Sequence, residues 1–407
     1  MAMNNKLQEI TGCEVCGNSK LESVLDLGSH PMCDDLVEIN QDRVCHEYPI
    51  EILFCNVCQT AHQRFQVPKE LLFPQTYHYR SRHTVDVIDG MKKLVSTCAD
   101  KLGNLSGKKV VDIGCNDGSL LKIFQQEGAD TFGIEPTGAY SDARQAGITV
   151  IHDYLTEEVA RNFIVDHGHP DLIVFTNVFA HIENLNQLLA SLEILKNSKT
   201  CIMIENHYLG SIFASKQFDT FYHEHPRTYS YTSFVKIAEN LGMEIGMVEF
   251  PSRYGGNIRV FIQPLAGINT NHHKLDELTQ SEMHFRGQFN DLKNQIELWR
   301  VNKSTEIQKA VEIYGPLVAK AFPGRAAIPI KMLGLDSTSI LGVYEKPTSG
   351  KIGHYVPGTR IPIYSDESML LDRLKGSPIL NLAWHIQDEI RAYMHHAGFD
   401  GDFIQII

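Results

Sequence analysis

The densest chemistry in the sequence lies between Phe218 and Tyr229, where Tyr222, His223, Glu224 and His225 are consecutive and Pro226 ends regular structure behind them. Two histidines at i and i+2 cannot share a helix face, so this is not the H-E-x-x-H arrangement of a catalytic zinc site. As an extended segment it would point Tyr222 and Glu224 one way and His223 and His225 the other. A neutral imidazole that titrates near the working pH suits removal of a proton from a carbon next to a carbonyl. Such a base, with donors for the enolate oxygen, is what methylation at carbon needs.

A second constellation is VVDIGCNDGSLL, Val110–Leu121, followed by Glu135. Two apolar residues run into Asp112, a tight turn carries Gly114 and Gly118, and an amphipathic run follows, the strand–loop–helix of a nucleotide-binding α/β domain. A pyrophosphate-cradling loop wants G-x-G-x-x-G. Here Asn116 replaces the second glycine and Asp117 adds a negative charge, which would repel phosphate and favour the cationic sulfonium end of S-adenosylmethionine. Glu135 closes the apolar strand Thr131–Ile134, placed to take both ribose hydroxyls of such a donor.

Elements that must position these residues follow in alternation. Helix is expected over Asp86–Leu102, Ser141–Gln145, Leu155–Asp166 and Ile182–Leu195, and strand over Ile148–His152, Asp171–Phe175 and Thr200–Glu205. Strands alternating with helices predict a parallel, doubly wound sheet, whose ligands sit at the carboxyl ends of the strands. That rule selects Asp112, Glu135, Asp153, Asn177 and Glu205, with His181 at the turn after Asn177. A polar, tyrosine-rich segment upstream holds Tyr77, His78, Tyr79 and Arg80; it either lines a cleft beside the cofactor domain or packs as a linker.

Six of the nine cysteines fall in the first sixty residues. Cys13, Cys16, Cys55 and Cys58 form two C-x-x-C knuckles able to place four thiolates in the closed tetrahedron of structural zinc. Cys33 and Cys45 lie between the knuckles and read as packed thiols. Net charge is −12, which argues against nucleic acid as a partner. No apolar run approaches the ~20 residues of a membrane span and no signal-peptide core opens the chain, so a cytoplasmic protein is expected.

Over essentially its whole length the chain resembles the three-domain, zinc-containing C-methyltransferases of nucleotide-linked keto-deoxysugars. The resemblance rests on the paired knuckles, Asp112–Gly118, Glu135-Pro136, Asn177 with His181, Phe221–His225, Arg253–Arg259, Tyr355–Thr359 and Leu382–His385. It implies a zinc-binding domain over 1–70, a Rossmann-like methyltransferase domain over 71–253, and a Rossmann-like domain over 254–407 that holds the nucleotide. It also implies S-adenosylmethionine as donor, structural zinc, and enolate chemistry at the carbon beside a 4-keto group. His225 would be the base. Tyr222, Glu224, Asn177 and His181 would hold the sugar or its oxyanion, and Tyr77 or Tyr79 would close the cleft. The donor would sit on Asp112, Gly114, Asn116, Asp117, Gly118, Glu135, Asp153 and Asn177.

The last third departs from the family pattern. Ala321–Arg325 reads A-F-P-G-R where a fuller G-A-x-x-K-G turn is usual, which puts large residues where a backbone would approach a ligand. Lys346, Lys351, Arg325 and Arg360 either meet phosphates or are solvated. Helices are expected over Lys274–Trp299 and Ser304–Ile313. The sugar, the nucleotide (dTDP, GDP or CDP), C3 against C5 methylation, and the choice between monomer and small homo-oligomer are not readable. O- or N-methylation, and a zinc-stabilised non-catalytic binding protein, are the competing functions.

Overall fold

The computed structural model describes residues 7–75, 80–83, 85–265, 272–369, 374 and 376–407. The central sheet has seven strands: β1 Lys109–Ile113, β2 Asp130–Ile134, β3 Thr149–Ile151, β4 Leu172–Thr176, β5 Cys201–His207, β6 Met243–Glu249 and β7 Asn257–Pro264. Their spatial order is 3-2-1-4-5-7-6. All are parallel except β7, which runs antiparallel to both neighbours. The order reverses between β1 and β4, so a crevice opens at their carboxyl ends.

The central strands form where apolar side chains are buried on both faces, as a sheet covered by helices requires. Leu172 to Phe175 are all buried, and the helix Ser119–Gln126 lays Leu120, Leu121 and Phe124 against the sheet. Past the expected boundary at 253/254, β7 fills the slot between β5 and β6 of the central sheet. The two expected helices of the last third are instead His272–Glu282 and one thirty-residue helix, Phe285–Tyr314. Nothing at 300–303 breaks helix. The break comes after Glu282, whose buried carboxylate accepts the Tyr231 and Thr232 amides at 2.7 and 2.8 Å and so caps another helix, Tyr231–Asn240.

The long helix spans the molecule. Phe289 packs on Phe54 of the N-terminal lobe and on Phe213 and Phe221 of the central domain, while the Trp299 indole donates to the Ile406 carbonyl at 2.8 Å. The C-terminal sheet has five parallel strands in the order Ile363–Ser365, Ile340–Glu345, Leu317–Lys320, Ile379–Asn381, Phe403–Gln405. No described helix is long and apolar enough to cross a membrane.

The N-terminal lobe is an antiparallel sheet of Glu22–Pro31, Glu47–Cys55 and Thr60–Gln63, and its fourth strand, Arg227–Thr228, comes from the central domain just after His225. Arg227 is fully buried. Its guanidinium donates to Glu14 at 2.5 Å, to the Tyr229 hydroxyl at 3.0 Å, and to the carbonyls of Ile182 and Glu183. Removing one partner of a buried ion pair strands the other. Arg227→Met is therefore expected to cost about 3–5 kcal/mol, read as a fall in the denaturant midpoint; a midpoint at the wild-type value would contradict it.

Candidate functional site

One cavity of about 1090 Å³ opens at the carboxyl ends of β1 and β4 and continues to the carboxyl ends of Leu317–Lys320 and Ile340–Glu345 in the C-terminal sheet. Asp112, Gly114, Asn116, Glu135, Asp153, Asn177, His181, Tyr222, Glu224 and His225 all line it. Tyr77 and Tyr79 lie outside the described residues.

At the β1 loop, Gly114 adopts φ +72°, and a Cβ there would come within 2.7 Å of Val178. The Glu135 carboxylate accepts the Thr137 amide and hydroxyl on one oxygen, at 2.8 and 2.6 Å, and the Asn116 amide on the other at 2.8 Å. Of the roughly four lone pairs of a carboxylate, one remains. The expectation that Glu135 takes both ribose hydroxyls is therefore reduced to one. Asp117 is also corrected. Its carboxylate turns inward to the Ser119 amide and hydroxyl and the Arg82 amide, so its charge shapes the loop and does not face the cavity. Gly118 stands behind the loop at φ +77°, where a Cβ would press on Ile148 and Ala143 at 3.0 and 3.1 Å. Asp112 receives no protein hydrogen bond among the described residues, and burial, then Glu135, pushes its pKa well up. A buried acid without a protein donor, beside a second acid, fits a cationic ligand such as a sulfonium.

Glu205 does not reach the cavity. Its buried carboxylate is held by Arg259 at 2.7 and 2.8 Å, Asn257 at 3.0 Å and Arg253 at 3.3 Å. The network instead positions Asn177, which sits at φ +54°. The Asn177 amide donates to the Glu205 carbonyl at 2.7 Å and its side-chain oxygen accepts from Asn257 at 3.2 Å.

The 222–225 segment is not extended. The His225 amide closes a turn onto the Tyr222 carbonyl at 2.8 Å. Tyr222, Glu224 and His225 thus share the cavity, whereas His223 turns away and bonds the Tyr48 carbonyl at 3.0 Å. His225 Nδ1 lies 3.1 Å from the Thr220 carbonyl. A carbonyl only accepts, so Nδ1 carries the proton and Nε2 the lone pair. Burial, then His181 and His207, holds the His225 pKa well below the ordinary histidine range. Tyr222 lies with its ring 4.3 Å from that of His225, and burial, then Glu224, raises its pKa, so it stays a phenol able to donate. His181 Nδ1 is 4.0 Å from Glu224, and burial lowers the His181 pKa to about 4.

Four further cavity residues are not among the predicted site residues. His207, its ring 5.4 Å from that of His225 and its pKa pushed down to about 3 by burial, lies two residues past the predicted end of β5. A strand drawn to its true end would have included it. His385 and Lys320 come from the C-terminal domain and Cys33 from the N-terminal lobe, which no sequence spacing relates to the loop. Of the four cations named in the sequence, Lys346, Lys351 and Arg325 line the cavity. Arg360 instead binds the carbonyls of Gln41 and Arg43.

The four knuckle cysteines converge. Their sulfurs lie within 4.8 Å of one another, with Cys13–Cys58 at 3.4 Å and Cys16–Cys55 at 3.6 Å. Tetrahedral zinc thiolate requires sulfurs about 3.8 Å apart. The donor set and spacing fit a closed structural site.

Three family models match in succession: one described as "Putative zinc binding domain" over residues 13–73, a methyltransferase domain over 81–246, and a C-methyltransferase C-terminal domain over 252–407. The chain is 27% identical over 372 residues to the C-methyltransferase NovU of Streptomyces niveus, covering 90% of this chain and 88% of that one. It is 33% identical over 93 residues to a ubiquinone biosynthesis O-methyltransferase of Escherichia coli, 22% of this chain and 38% of that one. Among solved structures, magnesium protoporphyrin IX methyltransferase from Synechocystis PCC 6803 aligns with 17% identity and TM-score 0.33, over 44% of this chain and 79% of that one.

The depressed histidines make stability depend on pH. Unfolded, each titrates near 6.5; folded, His181 and His207 do so near 4 and 3. Between those values the unfolded chain binds more protons, so stability present above about pH 6.5 is lost as pH falls toward 4. The denaturant midpoint should drop from pH 7.5 to pH 5, and drop less in His207→Gln; equal falls in both proteins would refute this.

Proposed function

Because the chain belongs to the S-adenosylmethionine-dependent C-methyltransferases of the three-domain, zinc-binding kind, we propose that it methylates C3 beside the 4-keto group of a nucleotide-linked deoxysugar. When bound, the donor supplies an electrophilic methyl group on a sulfonium. Asp112, Glu135, Asp153 and the backbone of 114–116 would hold it. Cys13, Cys16, Cys55 and Cys58 would hold a structural zinc outside the cavity.

The observation that carries this reading is the His225 imidazole, neutral, with Nδ1 committed to the Thr220 carbonyl, in the same cavity as the donor loop. Its Nε2 takes the proton from the carbon that the neighbouring ketone acidifies. The electron pair would move into the enolate, with Tyr222 and His181 donating toward the developing oxyanion, and the enolate carbon would take the methyl group as its bond to sulfur breaks, leaving a neutral thioether. Donors fixed before reaction in a water-poor site lower the barrier more than donors that must reorganise. At the far end of the cavity Lys346 suits the phosphates of a nucleotide, while Lys320 is paired with Asp366 at 2.7 Å and Lys351 lies 3.6 Å from Asp34. Cysteines gathered as paired metal-binding knuckles, with no disulfide among the described residues, suit a cytoplasmic setting.

The short match to an O-methyltransferase keeps oxygen methylation as the second reading. There His225 would only accept a hydroxyl proton, and no exchange at carbon would occur.

Purified protein supplied with dTDP-, GDP- or CDP-linked 4-keto-deoxysugars in deuterium oxide, without donor, should wash deuterium into the carbon beside the ketone. Methyl found on oxygen, with no exchange, would select the second reading. His225→Asn should bind S-adenosylmethionine like wild type and lose about 100-fold or more in rate; near-normal turnover would remove His225 as base. Since the His225 pKa is depressed, the acid limb of kcat/KM should lie below pH 6.5.

A further inference from the structure

Arg325 enters the cavity from the short turn Gly324–Ala326 of the C-terminal domain, and its side chain is 9% exposed. It is not solvated as a loop cation would be. Nε lies 3.2 Å from Asp219 Oδ2, and Nη1 donates to the Thr220 hydroxyl at 3.2 Å. The guanidinium stands over the Trp384 ring at 5.4 Å, and the Trp384 indole donates to the same Asp219 oxygen at 3.1 Å. Asp219 is 1% exposed and Thr220 fully buried. These two residues end the turn Phe218–Thr220, and the carbonyl of Thr220 is the one that His225 Nδ1 meets. A cation from one domain thus grips, by side chain, the residue whose backbone orients the imidazole in another.

We propose that Arg325 is a positioning residue: its fork on Asp219 and Thr220 fixes the Thr220 carbonyl against His225 Nδ1, and thereby the tautomer that leaves Nε2 basic. The planar fork suits the task because its two arms meet a carboxylate and a hydroxyl on adjacent residues at once, which the single point charge of lysine cannot reproduce. The groups facing His225 are His181, His207 and Tyr222 by ring contact, with Glu224 and Arg325 charged nearby. Arg325 adds to the forces that keep His225 neutral, behind burial, His181 and His207. Since Arg325 belongs to a turn of the C-terminal domain, its arginine makes the base depend on how that domain is seated. The proposal rests on His225 being the base, but its test reads the ring and not the reaction.

The test is nitrogen-15 NMR of the full-length zinc-loaded protein labelled at histidine, with His225 assigned by its loss in His225→Asn. Wild type should show a single neutral tautomer protonated at Nδ1. Arg325→Lys and Arg325→Gln should each show a mixture containing at least one fifth of the Nε2-protonated form, and in the Gln variant protonation should begin at higher pH. Thr220→Val removes only the hydroxyl and carries the same expectation should an arginine variant fail to fold. An unchanged, purely Nδ1-protonated ring in any folded variant of this set overturns the relay. Failure of His225 as base would appear separately, as methyl transfer surviving in His225→Asn.

Discussion

The structure depends above all on one buried cation. Arg227 follows the reactive segment by two residues and reaches three places at once: Glu14 inside the first cysteine knuckle, the carbonyls that follow His181, and the hydroxyl of Tyr229. Burying a guanidinium is expensive unless every donor finds an acceptor. Here an acidic partner and backbone carbonyls supply acceptors, and together they allow one arrangement of the chain. The strand Arg227–Thr228 must then pair with Thr60–Gln63, so the metal-binding lobe, His181 and His225 are fixed relative to one another. A zinc ion on the four cysteines would act through this geometry, because Glu14 lies inside the first knuckle and meets the Arg227 guanidinium.

Around that frame, Asp112 and Glu135 lie at the donor-loop end of the cavity, and the centre carries imidazoles kept neutral by burial and mutual repulsion. Burial and neighbouring charge set the protonation state of that centre. A histidine between two other histidines and an arginine binds a proton reluctantly, so it arrives at the reaction already deprotonated, and its cost is met in folding stability at low pH.

Much of this was legible in the sequence because the relevant signals are local. A strand, a glycine turn and an acid at the next strand end are adjacent in the chain, and the carboxyl-end rule then brings Asn177 and His181 to the same edge. The knuckles were legible for the same reason. What was not legible is set by partners distant in the chain. Glu205 obeys the strand-end rule but is claimed by Arg253, Arg259 and Asn257, two of them on the antiparallel strand that the sequence reading assigned to the next domain. Asp117 looked ligand-facing until its near neighbour Ser119 and the distant Arg82 occupied it. The turn at His225 defeated the two-residue alternation because a single amide-to-carbonyl bond replaced extended pairing.

The same contrast explains why the site can be both rigid and selective. Groups that the sequence marks as reactive are held by groups it does not mark: Glu135 by Thr137 and Asn116, Asn177 by Glu205 and Asn257, His225 by Thr220, and Thr220 by Arg325. Each holder commits one face of its residue and leaves the other toward the cavity. A carboxylate with three of its lone pairs already used, or an imidazole with one nitrogen already donated, presents a ligand with a single remaining choice. The fold thereby turns residues with several possible roles into residues with one, and does so before any ligand enters.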